Sequence, residues 1–474
     1  MDSAKLSSRL HEILKGGRLE ADRPRGPASS GRDQEIPVER GAEDRLAGPG
    51  QLAADSERVA RPEHLAADVL GGSVVEDRDG PFVMVDREHD ASRWYGTHPI
   101  YQYADALEEH ARGLELLAGG WPGRPGDRPP RLLFFDLETT GLSGGAGTYA
   151  FLVGCGYFEG QAFHTRQFFL PDYDRERPLL SAVAGLVETF GGIVTYNGRT
   201  FDLPLIETRY QVNRLDSPFG GFPHLDMLHP SRRLWRRRYA VADEAASARR
   251  SGAALLAAAE ATSCALKALE QSVLGTEREH DVPGFEIPSR YFAYIRTGDA
   301  RTLEGVFEHN RLDLLSLAAL TSVVLRLVGL GPDAARTSRE RLALGRLYEL
   351  AGDMGRAERC FEHLAGCGPD EPGWCRDDAR VKGEALRWLA VRYRRARRHR
   401  EAAEAWQRIL DLDLDPSPLV GEASEALAIH HEHRSKDFQA ARAFALRALE
   451  IGPDPRAERE LQHRLDRLKR KMGA

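Results

Sequence analysis

Asp136 and Glu138 stand two residues apart at the end of the apolar run LLFFDLE, residues 132–138. The run reads as a buried strand, and residues i and i+2 of a strand project from the same face. Two neighbouring carboxylates in apolar surroundings repel each other and are costly to ionise together unless they share a cation. A divalent metal ion is the natural remedy, and further acids are then expected to converge on it from elsewhere in the chain. Asp202, in NGRTFD (197–202), falls where a strand ends and a helix begins, so it occupies a first helical turn, where an anion is favoured. In EHNRLD (308–313), His309 and Asp313 are four apart and share one face of a helix. Each has a plainer reading alone: Asp136 as a strand-end turn residue, Asp202 as a helix N-cap, His309 as a surface histidine. Their combination, in this order, carries the metal-site reading. Asp226, in HLDML, is read as structural.

Other segments bear on binding. Asn197 and Phe201 flank the Asp202 turn and are suited to contact a sugar or stack on a base. The run RRLWRRRY (232–239) interleaves guanidinium groups with aromatics, which suits phosphates plus stacking and equally suits a solvated helix face. A second basic run, YRRARRHR (393–400), falls at a turn between helices and reads as a solvated tip. Cys360, His363, Cys367 and Cys375 lack the short knuckles of structural zinc and read as ordinary thiols.

The elements that must position these groups follow from the pattern. Two strands pair as a hairpin (149–160 and 161–170), a helix follows over 175–190, then a strand (191–197), a helix (201–212), a short strand near 225–228, and mostly helix to 329. A hairpin followed by strand-helix alternation predicts an α/β domain with a mixed central sheet flanked by helices. Ahead of it, VLGGSVVEDRDGPFVMV (69–85) reads as another hairpin and 104–117 as a helix. Residues 18–62 are rich in Pro, Gly, Ser and both charges, and read as a disordered linker behind a short helix bearing Leu6, Leu10, Ile13 and Leu14. The Ala-rich stretch 240–261 reads as an inserted or extended helix.

Beyond residue 331 the strand signals stop and an all-α pattern repeats. Leu344, Gly345, Tyr348, Gly352, Ala357, Phe361 and Pro369 form one copy, Leu389, Ala390, Tyr393, Ala402, Trp406 and Ile409 a second. Ala441, Ala445, Ala448 and Pro453 form a third, whose first helix runs one residue out of step. Small residues let paired helices approach and aromatics fill the gap to the next pair. The pattern resembles a tetratricopeptide solenoid, with a generic helical bundle as the plainer reading.

At 474 residues and 42% hydrophobic, the chain is too long for one ordinary core, and its net charge of −6 joins an acidic front to a mildly basic back. That balance alone does not announce nucleic acid. Five scattered cysteines argue against a disulfide framework. With no run of apolar residues long enough for a membrane span and no secretory pattern at the N-terminus, a cytoplasmic location is expected, with no membrane partner.

The order F-D-x-E-T-T-G, N-x-x-x-F-D and then His or an aromatic with Asp four or five later resembles the DEDD exonucleases of the ribonuclease H-like superfamily. With helical repeats behind it and GFEIPSRYFAYIRTGDARTLEGVFEHNRLDLLSLAAL around the last Asp, the chain is similar to the bacterial YprB-like family. The resemblance implies a ribonuclease H-like exonuclease domain over 129–332, preceded by 1–65 (short helix and linker) and 66–128 (hairpin and helix) and followed by tetratricopeptide-like repeats over 336–474. It implies two Mg2+ or Mn2+ ions held by Asp136, Glu138, Asp202 and Asp313, with His309 as general base or water-positioner. The spacing of four belongs to the branch that carries Tyr at that place, whereas this sequence has His. It implies that Thr139, Thr140 and Gly141 line the pocket for a terminal nucleotide. The expected activity is 3′–5′ exonuclease action on single-stranded nucleic acid or 3′ overhangs, with the repeats binding a protein partner or guiding the strand. Two alternatives stay open, a catalytically idle adaptor and an endonuclease on structured junctions.

Overall fold

The computed structural model describes residues 62–473 apart from 119, 120, 122–129, 142–144, 237–263, 369–375, 413, 415 and 453. The readings of a helix near Leu6–Leu14, of a linker over 18–61, of the 240–261 helix, and of Pro369, Cys375 and Pro453 lie outside the described residues, as do Arg237, Arg238 and Tyr239.

In chain order the first elements are α1 (Pro62–Leu70), β1 (Ser73–Asp77), β2 (Gly80–His89), the short pair β3 (Trp94–Tyr95) and β4 (His98–Pro99), α2 (Ile100–Glu109) and α3 (Gly113–Ala118). The single helix expected over 104–117 is thus two. Gly113 opens the second, and a Cβ there would lie 2.9 Å from Leu325 Cδ2, so the break lets the chain lie close to the long helix described below. Next come β5 (Leu132–Thr139), β6 (Ala150–Glu159), β7 (Ala162–Phe169), α4 (Glu176–Val187), β8 (Gly192–Thr195), α5 (Asp202–Val212), β9 (His224–Asp226) and α6 (Leu228–Trp235). A four-residue helix α7 (Leu266–Leu269) runs into a π-turn (Glu270–Leu274), and α8 (Ile287–Thr297) precedes the 27-residue α9 (Glu304–Leu330).

Seven strands form one mixed sheet in the order β1-β2-β7-β6-β5-β8-β9. Its last three strands, β5, β8 and β9, run parallel, and the other pairings are antiparallel. The 73–89 hairpin is therefore part of the central sheet, extending its antiparallel edge through β2 and β7. Strand periodicity divides β5 between two cores. Leu133, Phe135 and Leu137 join the apolar cluster that includes residues of α4, α5 and α8. Leu132 and Phe134 face the other way, into the cluster built around α9. Asp136 and Glu138 continue the Leu132–Phe134 side of the strand, so the period of two aims both acids at α9.

The helix α9 crosses β5, β6 and β7 and packs against α2. Its apolar stretch has the length and hydropathy of a membrane-crossing helix, yet most of it is buried inside the protein. Close approach depends on two glycines of β6. Gly154 sits opposite Asp136, and a Cβ added to it would lie 2.3 Å from Asn310 Oδ1. Gly156, opposite Phe134, leaves room in the same way for Phe163 and Leu314.

After α9 the chain is helical among the described residues: α10 (Ser338–Leu350), α11 (Met354–Gly366), α12 (Arg376–Arg395), α13 (His399–Leu410), α14 (Pro418–His430), α15 (Phe438–Glu450) and α16 (Pro455–Lys471). Neighbours in sequence are neighbours in space, so short loops join packed pairs α10/α11, α12/α13 and α14/α15, and α16 closes the array. Small residues do sit at the crossings: a Cβ at Gly345 would lie 2.9 Å from the Phe361 ring, and Ala357, Ala390 and Ala441 are wholly buried. The one-residue offset in the third pair has a structural counterpart, because α14 ends in a π-turn, His431–Ser435, which accommodates an extra residue. That turn buries Glu432, which accepts hydrogen bonds from Arg464, Arg467 and Lys471 of α16 at 2.6–2.8 Å. The core around α9 continues into α10–α14. Trp235 of the basic run donates to Glu340 of α10 at 2.8 Å, so this aromatic joins the α/β part to the helical part.

Gly154→Ala tests the close packing of α9 on β6. The added methyl must displace the wholly buried Asn310, and overpacking of this kind costs about 1–3 kcal/mol. Urea denaturation of the purified variant should show that loss, and an unchanged midpoint would contradict the packing described.

Candidate active site

Each acid is delivered by a different local device. Asp136 and Glu138 ride on β5, which ends in an irregular register between Glu138 and Thr139; such a bulge re-aims side chains. Beyond it the chain is pinned to β6: Thr140 exchanges backbone N–H and hydroxyl contacts with Tyr149 at 3.0 and 2.9 Å, and Thr139 donates its hydroxyl to the Gly141 carbonyl at 3.0 Å. Both hydroxyls therefore serve this turn, and Thr139, Thr140 and Gly141 are each half-buried at its surface.

Asp202 opens α5. The turn that brings it there is wrapped around Asp226, whose carboxylate accepts from the backbone N–H groups of Asn197 (2.8 Å), Arg199 (3.1 Å) and Leu228 (3.1 Å). Asn197 holds the left-handed conformation, φ 66°, that this wrap requires. Asp226 is thus the structural acid the sequence implied. The charge of Asp202 raises both Asp136 and Glu138, which sets it beside the strand-borne pair. Phe201, next to it, is 59% exposed.

The third contribution comes from α9. Asn310, one residue past His309, is wholly buried; its amide donates to Asp136 Oδ2 at 2.8 Å while its carbonyl accepts from Gln167 at 2.9 Å. His309 and Asp313 share a face as expected, with Nε2 to Oδ2 3.6 Å. His309 Nδ1 lies 2.7 Å from Asp281 Oδ1, which fixes the ring's orientation. Asp313 is also bound by a group the sequence did not reveal: Arg278, which donates to Asp313 Oδ1 and, through Nε at 2.8 Å and Nη2, to the buried Glu270. Ser316 donates to the same Glu270, and Tyr95 contacts Ser316. On its other side Arg278 borders a cleft of about 340 Å³ whose lining includes Arg93, Trp94, Tyr95, Glu308 and Arg311.

The four acids lie in one electrostatic field. Burial, then the charges of Asp313 and Asp202, push the Asp136 carboxyl well above the ordinary range, against the hydrogen bond from Asn310 and the charge of Arg278. Glu138 is raised by burial and then by Asp136, Asp313 and Asp202. Asp202 is pushed up to about 7, chiefly by burial, with Asp226 and Asp313 adding to it. Asp281 goes the other way: burial raises it, but His309, Arg278 and Lys267 together hold it below the usual range. Acids expected from three distant segments thus act on one another's ionisation, and Asn310 of α9 is hydrogen-bonded to Asp136 of β5.

Their chemistry fits a divalent cation of the hard, oxygen-seeking kind. Asp136, Glu138 and Asp202 are desolvated carboxylates in mutual repulsion, and the cation acting on Asp136 and Glu138 is Arg278, whose hydrogen bonds go to Glu270 and Asp313. Among the described residues no three His, Cys, Asp or Glu side chains are drawn together as a finished metal cage, and Asp313 already gives one oxygen to Arg278.

These shifts have a signed consequence. Asp136, Glu138 and Asp202 bind protons more tightly in the folded chain than in the unfolded one, whose carboxylates titrate near pH 4. Metal-free protein then loses stability as pH rises from that range through about 7, where Asp202 titrates. In EDTA, the melting temperature of the wild type relative to Asp136→Asn should fall between pH 5 and 7.5, and Mn2+ at pH 7.5 should restore it. A flat difference across that interval, with no response to Mn2+, would contradict the electrostatic description.

Residues 133–325 match the ribonuclease H (RNase_H) superfamily. The chain is 28% identical over 346 residues to the uncharacterized protein YprB of Bacillus subtilis (strain 168), covering 72% of this chain and 75% of that one. Among solved structures, it is similar to the family B DNA polymerase from the hyperthermophilic archaeon Pyrobaculum calidifontis at a TM-score of 0.33 and 12% identity, over 82% of this chain and 65% of the polymerase, less than two thirds of its length. The mixed sheet with its flanking helices fits the fold of that superfamily over the matched residues 133–325.

Proposed function

We propose that this chain is a divalent-metal-dependent 3′–5′ exonuclease acting on single-stranded nucleic acid or 3′ overhangs. What supports this reading is that Asp136, Glu138, Asp202 and Asp313, carried by β5, α5 and α9, act on one another's ionisation, with Asn310 of α9 hydrogen-bonded to Asp136. These four carboxylates would hold two Mg2+ or Mn2+ ions. Bound ions supply a water of lowered pKa and neutralise charge on the phosphoryl group.

The chain's own residues do the rest. Asn310 fixes the Asp136 carboxylate at Oδ2, so this ligand is held in one orientation before any substrate arrives. Asp281 engages Nδ1 of His309, leaving Nε2 directed toward Asp313 and the acid cluster, where neutral imidazole can accept a proton from an attacking water. The exposed ring of Phe201 beside Asp202 offers a stacking surface for a terminal base. The cleft beyond Arg278, with Arg93 and Arg311 in its lining and Trp94 67% exposed, offers phosphates and bases of the incoming strand a second contact area. The helical pairs α10–α15 are proposed to be degenerate tetratricopeptide repeats that bind a protein partner or guide the strand.

A second reading is an adaptor with an idle nuclease fold, and one observation favours it: the Arg278 guanidinium already occupies Asp313. End-labelled single strands incubated with the purified protein in Mn2+ separate the possibilities. A ladder shortening from the 3′ end supports the exonuclease, discrete internal cuts an endonuclease, and intact strands the adaptor. Asp136→Ala should abolish cleavage, by at least about 10³-fold for loss of a ligand acting as part of a unit. His309→Tyr should lower the rate and change its pH profile, and an unaltered profile would remove His309 from proton transfer.

A further inference from the structure

We propose that Arg278 is a built-in cation that claims one oxygen of Asp313 and makes the acid cluster bind one divalent ion tightly and a second only weakly. The inference rests on the metal-dependent reading above and goes beyond it to how the site fills.

The placement of Arg278 is specific. Its side chain is 3% exposed, and Glu270, 1% exposed, engages Nε and Nη2. Those contacts alone would satisfy a structural role, because they tie the π-turn Glu270–Leu274 to the protein and leave Glu270 fully paired with Ser316. Yet Nη2 also reaches Asp313 Oδ1, and Nη1 lies 3.7 Å from Asp281 Oδ1, the acid that orients His309. One guanidinium therefore stands among three carboxylates on the α9 side of the site. Among the described residues the β5 side has no hydrogen-bonded cation: Asp136 is held by the neutral amide of Asn310.

The site is thus electrostatically lopsided. Among the described residues Asp136, Glu138 and Asp202 make no hydrogen bond to a cation, and Arg278 acts on Asp136 and Glu138 only through its charge. Asp313 has part of its charge neutralised and one of its two oxygens engaged, leaving Oδ2, which faces His309. A cation that needs Asp313 must share it with Arg278 or displace a guanidinium locked by a buried glutamate. Arginine suits this role and lysine does not, since only the planar fork can bind Glu270 twice and still reach a second carboxylate.

The test is Mn2+ binding to the full chain, followed by calorimetry and by the electron paramagnetic resonance of free Mn2+. Wild type should take up one ion tightly and a second far more weakly. Because Arg278→Met alone strands a buried glutamate and can prevent folding, the paired variant Glu270→Gln/Arg278→Met is measured beside it. In whichever folds, the second ion should bind about 10–100-fold more tightly, the size of effect seen when a group that tunes a ligand is removed. Adding Asp313→Asn to that background should erase the gain. Two equally tight ions in wild type, no tightening in the Arg278 variants, or a gain that survives Asp313→Asn would each overturn the proposal while leaving the nuclease reading intact. Unchanged Mn2+ uptake by Asp136→Asn would overturn both.

Discussion

Carboxylates buried beside one another at the end of an apolar strand are the constraint on which the site depends. Asp136 and Glu138 follow LLFF in β5, Glu138 buried and Asp136 half-buried, so their charge is poorly solvated. A folded chain tolerates such a pair if the acids stay protonated or if cations come to them. Among the described residues no lysine or arginine is hydrogen-bonded to this pair, and Arg278 reaches it only through its charge. The surrounding structure adds the charge of a third acid, Asp202, and of a fourth, Asp313 from α9. Adding charge where charge is already costly is destabilising for the metal-free protein.

The fold can be understood as the machinery that keeps these groups in register. Bringing α9 against the sheet is the main step, and Gly154 and Gly156 make it possible by leaving the β6 surface flat where the helix crosses. Asn310 then occupies the space and holds Asp136, while the same helix turn presents His309 and Asp313. The Asp226 wrap performs the equivalent task for Asp202 at the opposite end of the cluster. The helical pairs share a core with α9, so the array and the site rest on one rigid element.

Much of this was legible in the sequence, for physical reasons. Asp136 and Glu138 announce themselves because strand periodicity is two and both follow an apolar run; His309 and Asp313 because helix periodicity brings i and i+4 together; Asp226 because a lone acid at a strand end is most often a backbone acceptor. The central sheet followed from β-branched and aromatic runs separated by turns. What escaped detection depends on contacts between residues far apart in the chain. Arg278 lies in TEREHDV, which looks like a solvated charged loop, and its partners Glu270 and Asp313 are 8 and 35 residues away. Glu270 is set by a π-turn that no periodicity signals. Asn310 offered a faint clue as a polar residue on the core-facing side of an apolar helix, and the alternate glycines of VGCGY offered another. The addition of the 73–89 hairpin to the sheet was beyond reach because strand pairing across 80 residues leaves no local mark.

The most direct measurement of the central claim is the anomalous difference density of a crystal soaked in Mn2+. The account predicts a peak bounded by oxygens of Asp136, Glu138 and Asp202, absent from crystals of Asp136→Asn treated alike. Density confined to other surfaces of the protein, or a peak at this position that persists in Asp136→Asn, would contradict it.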